Sequence, residues 1–210
     1  MKSLIENNFL RVDALYRNTN NRKKDEDEFN KFFWFNDNKG INNVSGFRPK
    51  SRSDIKSNDI LDCAFCILVT NLGENEWPDE LNPETGQFTY YGDNREPGKS
   101  INSTSVGGNK FLESVFEKLH FQSKSDIQPT LCFQVQKDKD NKSYMRFIGL
   151  AAPGAQGLSS SDDLVAVWKI RDNLRFQNYR SIFTILKVEI ISKSWLDDLV
   201  KGIKPHESMH

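Results

Sequence analysis

Between Trp77 and Lys99 the chain reads WPDELNPETGQFTYYGDNREPGK, and this window concentrates the side chains best suited to holding a flat ligand. Trp77 and Tyr90 offer two aromatic faces. Asp79 offers an acceptor, and Gly92-Asp93-Asn94 a turn. Arg95 and Lys99 follow as cations. Two rings and one carboxylate are the elements needed to hold a nucleobase drawn out of a duplex, and the cations could meet phosphates. The turn signal Asn82-Pro83-Glu84-Thr85-Gly86 lies between Asp79 and Tyr90, so a hairpin closing there would bring Trp77, Asp79 and Tyr90 together. A hairpin whose aromatics are simply core, with a Pro-Asp surface turn, fits the same residues.

Other chemistry is poorly supported. Cys63-Ala64-Phe65-Cys66 has CxxC spacing, but on a strand positions i and i+3 point to opposite faces, and neither a second CxxC nor a histidine pair exists. Core packing is the expected use of these cysteines. A Mg²⁺ nuclease site of the PD-(D/E)xK kind fails at Phe133–Lys137, where the spacing is wrong, and Glu189 is followed two residues later by Ile191 rather than lysine. No serine stands in a nucleophile-elbow context. No catalytic residue, metal or cofactor is expected within these residues.

Composition bounds the rest. A chain of 210 residues with 37% hydrophobic content, including 15 Phe and 4 Trp, can build a real core as one domain spanning 1–210. The 29 basic and 29 acidic side chains cancel, so any nucleic-acid surface must be a local patch. Met1-Lys2 opens no apolar leader, and no apolar run approaches the ~20 residues of a membrane span. Three cysteines, an odd number, point to a reducing cytoplasm.

The elements that must position the window follow from periodicity. A strand-like run is expected at Val12–Tyr16, and loops at Asn18–Glu28 and Asp37–Ser53. Phe29, Phe32 and Phe33 mark a short helix. Asp62–Thr70 reads as a buried strand. Gly86–Gly92 reads as a turn and an alternating strand, with Phe88 and Tyr90 on one face. Asn109 is a plausible N-cap for a helix with the stripe Phe111, Leu112, Val115, Phe116 and Leu119. Strands are expected at Thr130–Gln136, Tyr144–Leu150, Leu164–Lys169 and Ser181–Ile191, then a helix at Trp195–Lys201. The sum is an α+β fold: a curved, mostly antiparallel sheet or open barrel with two or three flanking helices.

Several segments together resemble a known family. Gly46-Phe47-Arg48, Trp77-Pro78-Asp79, the run from Leu81 to Arg95, Gly107-Gly108-Asn109, Asp163–Trp168 and Arg175–Arg180 are similar to the SET- and RING-associated (SRA) domains. They are closer still to the N-terminal recognition domain of AspBHI-type, MspJI-related modification-dependent restriction endonucleases. The likeness covers most of residues 45–195. It implies an SRA-like fold and a partner: double-stranded DNA carrying 5-methylcytosine, flipped into an aromatic pocket. It implies Tyr90 on one face of the base, Trp77 on the other, and Asp79 on the Watson–Crick edge, with Glu80 a rival for that role. Arg48, Lys50 and Arg52 are candidate backbone clamps, as are Arg95, Lys99 and Asn109. Arg175, Gln177, Asn178 and Arg180, between two strands, are candidates for base edges. The resemblance also implies a nuclease domain downstream or in a partner chain, no membrane, and room for homo-oligomers of a longer enzyme. The alternative from another class is a stand-alone cytoplasmic protein holding a nucleotide or other planar small molecule in the same aromatics; the plainest is a protein-interaction domain. The sequence leaves open the flanking bases, the choice between 5-methyl and 5-hydroxymethyl, and strand symmetry.

Overall fold

The computed structural model describes residues 8–19, 26–35, 40–41, 45–73 and 76–208. Parts of the two expected loops, 20–25, 37–39 and 42–44, lie outside the described residues. Among the described residues a nine-stranded sheet dominates. Its strands are β2 (Leu15–Arg17), β3 (Phe47–Ser51), β4 (Cys63–Thr70), β5 (Glu80–Leu81), β6 (Gln87–Tyr91), β7 (Thr130–Lys137), β8 (Ser143–Pro153), β9 (Leu164–Arg171) and β10 (Leu174–Ile185). Its order is β3-β4-β7-β8-β10-β6-β5, with β2 on β8 and β9 on β10. Among the described strands only β4 and β7 run parallel. A separate ribbon pairs β1 (Phe9–Arg11) with β11 (Ile190–Ser192). Among the described residues four α-helices flank the strands: α1 (Glu28–Phe32), α2 (Gly108–Phe121), α3 (Ser160–Asp163) and α4 (Lys193–Val200). This is the expected α+β, mostly antiparallel architecture. Among the described residues no helix is long and apolar enough to cross a membrane.

The central strand explains its own composition. Every residue of β4 is buried. Phe65, Ile67 and Val69 enter one core cluster with α1 and α4, while Cys66 and Leu68 enter another with α2. Burial on both faces is what an unbroken apolar run predicts. Phe111, Leu112, Val115 and Phe116 face the sheet from α2, as their spacing requires.

Three local expectations are corrected. Val12–Tyr16 is not one strand: a turn with Asp13 at φ 66° divides β1 from β2. Residues 47–51 of the expected loop form β3, because Phe47 buries and the segment pairs with β4. The cysteine geometry also differs. The β3–β4 register skips at Lys50/Ser51, pairing Lys50 with Phe65 but Ser51 with Cys63. That irregularity turns Cys63 to the same cluster as Cys66 and Cys132. Burial pushes the Cys63 thiol up to about 12 and Cys66 well above its ordinary value, so both pack as protonated thiols.

A half-buried lysine joins α4 to α1. The Lys193 ammonium donates to the carbonyls of Phe32 and Trp34 and lies 4.3 Å from the Phe35 ring centroid. Burial lowers its pKa to about 8; Asp197 opposes the shift and Lys50 adds to it. Between about pH 8 and the ordinary lysine value near 10.4 the unfolded chain therefore binds the extra proton, and this group's contribution to stability rises with pH. The buried thiols and phenols titrate the other way, so the difference between proteins is the readout. In urea titrations from pH 7 to 9.5, wild type is expected to gain stability relative to Lys193→Met; a constant gap would refute this.

Candidate nucleic-acid interface

The β5–β6 hairpin is the base of the site. The Asn82 side chain accepts from the amides of Glu84 and Thr85, and Gly86 takes the left-handed φ of 72° that closes the turn. Alternation along β6 sends Phe88 and Tyr90 into the core and leaves Thr89 and Tyr91 half-buried opposite. β10 fixes the register by pairing Ser181 with Tyr90; the Ser181 hydroxyl donates to the Tyr90 carbonyl at 2.7 Å. Asp79 precedes β5 and crosses to β6, where its carboxylate accepts from the Tyr91 amide at 2.9 Å.

A joint follows β6. Gly92 is wedged between two buried asparagines, and a Cβ there would lie 1.6 Å from Asn109 Oδ1 and 2.5 Å from Asn178 Oδ1. Only glycine fits that approach. Asn178 donates to the Gly92 carbonyl at 2.9 Å. The Asp93 carboxylate accepts from the amides of Gly108 and Asn109, both at 2.9 Å, and so caps α2 from outside the helix.

Hairpin, joint and β3 surround a cavity of about 540 Å³. Trp77, Asp79 and Tyr90 all line it, together with Tyr91, Asp93, Arg48 and Arg95. Tyr90 is buried, packs edge-on to Phe47 at 5.4 Å and donates to the Val69 carbonyl at 3.4 Å. Burial, and next the nearby charge of Asp79, drive its pKa well above the ordinary phenol value, so it presents a neutral ring. Trp77 is buried against Tyr91 at 5.5 Å and edge-on to Phe176 at 5.9 Å. The Lys169 ammonium sits 4.1 Å from its ring centroid. Its indole N–H is buried with no hydrogen-bond partner among the described residues. Glu80 is exposed on β5 and lies outside this lining. The fold therefore brings Asp79, not its neighbour, to the aromatics.

The candidate phosphate and base contacts divide. Arg95 is exposed at the cavity rim, and Lys99 is exposed with a 2.6 Å ion pair to Glu96. Arg48 is not on an exposed loop but on β3, 4% accessible, its guanidinium over the Phe29 ring and on the cavity wall. Lys50 is corrected: it is fully buried with its ammonium 5.0 Å from the Phe35 ring centroid, and cannot reach a phosphate there. Asn109 is corrected as well. It is fully buried in the second position of α2, the N-cap is Gly107, and Asp93 already occupies the helix N-terminus. Arg175, Gln177 and Arg180 lie within β10, not between strands. Arg175 is exposed, Gln177 half-buried, and Arg180 donates to the Asp162 carbonyl at 3.3 Å. Asn178 is buried in the joint.

Sequence reasoning missed three features: the entry of Arg48 into the cavity, the packing of Tyr91 on Trp77, and the cap made by Asp93. The alternating Gly46-Phe47-Arg48 carried a signal for the first. The others depend on distant segments meeting.

Comparison with known proteins places this geometry in context. The family model described as restriction endonuclease AspBHI N-terminal matches residues 10–209. Among solved structures, the DNA recognition domain of the cytosine modification-dependent restriction endonuclease LpnPI is 34% identical, with a TM-score of 0.77, covering 96% of this chain and 83% of that one. The DNA modification-dependent restriction endonuclease AspBHI is 32% identical, with a TM-score of 0.78, covering 98% and 87%. The MspJI restriction endonuclease, solved with a 27-mer oligonucleotide, shares the fold at 14% identity and a TM-score of 0.63, covering 91% of this chain and 46% of its own. No curated protein matches the chain.

Proposed function

The chain belongs to the AspBHI N-terminal family of restriction endonucleases, and from that premise we propose that it reads 5-methylcytosine in duplex DNA by taking the flipped base between Trp77 and Tyr90. The observation that carries the reading is the convergence of Trp77, Asp79 and Tyr90 on one cavity, with Arg48 and Arg95 at its wall and rim. Nuclease chemistry belongs to residues outside this segment, and the protein works in the cytoplasm, in keeping with three free cysteines.

The energetics are balanced. Extruding a base costs a few kcal/mol. Stacking returns ~1–3 kcal/mol per base, so enclosure by two rings offsets most of the loss. Cytosine presents an N4 amino donor that Asp79 accepts, whereas thymine presents O4, lone pair against lone pair. The edge therefore separates two bases that carry the same 5-methyl group. The methyl itself adds ~0.8 kcal/mol if buried, so preference over unmodified cytosine is modest from this contact alone.

The test is a titration of a fluorescent duplex with one central 5-methylcytosine against its unmethylated twin at two salt concentrations. Tighter methylated binding with a steep salt dependence is expected. Equal, negligible binding to both would sink the reading and favour a small planar ligand instead. Arg95→Ala is expected to weaken both duplexes alike and to reduce the salt slope by about one unit, as loss of one phosphate contact does. A selective effect on the methylated duplex would move Arg95 from the backbone to the base.

A further inference from the structure

Trp77 lines the cavity, yet it is 1% exposed, so no face of its ring is bare. Among the described residues three side chains make ring or cation contacts with the indole. The Lys169 ammonium lies 4.1 Å from its centroid, Phe176 meets it edge-on at 5.9 Å, and the Tyr91 ring lies at 5.5 Å with a tilt of 41°. Lys169 and Phe176 lie outside the cavity lining, whereas Tyr91 belongs to it. The ring between Trp77 and the cavity is therefore that of Tyr91. A base that stacks on the indole from the cavity must take its place.

Only the side chain of Tyr91 has to move. Its backbone is held on both sides. The amide donates to Asp79 at 2.9 Å, the residue pairs with Arg180 of β10, and the next amide, that of Gly92, donates to the Tyr179 carbonyl at 2.9 Å. Tyr91 is half-buried at the end of β6, so a change of rotamer carries its ring to solvent. Tyr90, the opposite wall, is buried in the core cluster and donates to the Val69 carbonyl at 3.4 Å. One wall is fixed, and the other carries a removable cover. The exchange favours a base. An aromatic pair multiplies an equilibrium constant by roughly two to twelve beyond its burial. Base–aromatic stacking multiplies it by roughly five to 150.

We infer that Tyr91 is a placeholder: its ring holds the stacking position on Trp77 in the free protein and swings out when a flipped base enters. The inference rests on the base-flipping reading and adds a threshold to it. A planar molecule that offers the indole no more than a tyrosine ring does is kept out. A flipped cytosine brings the Asp79 contact and the Tyr90 face as well, and so displaces the cover. The form ready to bind is then a fraction of the free protein, and the apparent affinity of the pocket is lowered by that fraction.

The experiment titrates the 210-residue chain and its variants with the fluorescent 5-methylcytosine duplex. Tyr91→Ala is expected to bind it roughly two- to twelve-fold more tightly than wild type, because truncation removes the competitor. Tyr91→Phe keeps the ring and should restore the wild-type affinity. Tyr91 is half-buried, so circular dichroism should show an intact fold in both. Unchanged binding in Tyr91→Ala would overturn the inference. So would weaker binding, which would make Tyr91 itself a stacking face. A second measurement follows the wild-type protein. Labelling with 3-fluorotyrosine gives a ¹⁹F signal for each of the 5 tyrosines. The signals of Tyr90 and Tyr91 are those lost in Tyr90→Phe and Tyr91→Phe. The methylated duplex is expected to shift both. A shift at Tyr90 with none at Tyr91 would overturn the placeholder alone. No shift at either would strike the base-pocket reading, and the placeholder with it.

Discussion

Asp79→Asn is expected to weaken binding of a 5-methylcytosine duplex by roughly 10–100-fold while affinity for unmodified DNA outside the pocket stays near its wild-type value. The substitution is isosteric. An asparagine oxygen still accepts from the Tyr91 amide, which Asp79 does at 2.9 Å, so the hairpin entry keeps its geometry. What is lost is the charged acceptor for the cytosine N4 amino group. Hydrogen bonds to a charged partner are worth ~1.5–3 kcal/mol, and a wrong base edge costs a similar ~1–3 kcal/mol. The carboxamide also brings a donor that thymine O4 can accept. A duplex with thymine at the target position should therefore bind the variant better than wild type. The measurement is a three-way titration with 5-methylcytosine, cytosine and thymine at one position. Unchanged ranking in the variant would show that Asp79 does not face the base.

The second large effect is that of Trp77→Ala, which acts twice. The indole is buried and touches Tyr91, Phe176 and Lys169, so truncation opens a void where the β9–β10 hairpin meets the pocket. Large-to-small changes of this kind cost ~3–5 kcal/mol. For a domain of this size each kcal/mol lowers Tm by roughly 2–4 °C, so a fall of roughly 6–20 °C is expected. Methyl preference should vanish with the stacking face, since one base stack is worth ~1–3 kcal/mol. Trp77→Phe separates the two effects: stability should largely recover, and binding only in part. A Trp77→Ala protein that is destabilised yet still discriminates 5-methylcytosine would assign the indole to the core alone. Tyr90 invites the same caution. It lies in the core cluster with Phe47 and Phe88, so Tyr90→Ala mixes loss of a stacking face with loss of packing.

Much of this architecture was legible because short-range patterns carried it. The α2 stripe, the apolar run of β4 and the alternation of β6 each follow one period over several residues, and tertiary packing reinforced what they favoured. β3 was not legible, since Arg48, Pro49 and Lys50 look like a polar loop until Phe35 and Phe29 cover the cations. The start of β10 was hidden likewise, because Arg175, Gln177 and Arg180 are polar on a ribbon with solvent on its outer side. The cluster of Trp77, Asp79 and Tyr90 could be anticipated because one short turn joins its two halves. Asn109 misled because a helix N-terminus attracts anions in general, and the anion that answers here is Asp93 of the same chain. Lys50 misled because cationic side chains are seldom fully buried.

The pocket strand β6 owes its alignment to β10, and Ser181 lies 91 positions beyond Tyr90. A chain emerging from the ribosome thus completes β3, β4 and the aromatic hairpin long before their clasp exists. Contacts so distant in sequence close slowly. Until β10 arrives, Phe88 and Tyr90 have only part of their shelter, a nascent stage prone to wrong association. The reader of DNA is therefore inert until nearly all of it has been made.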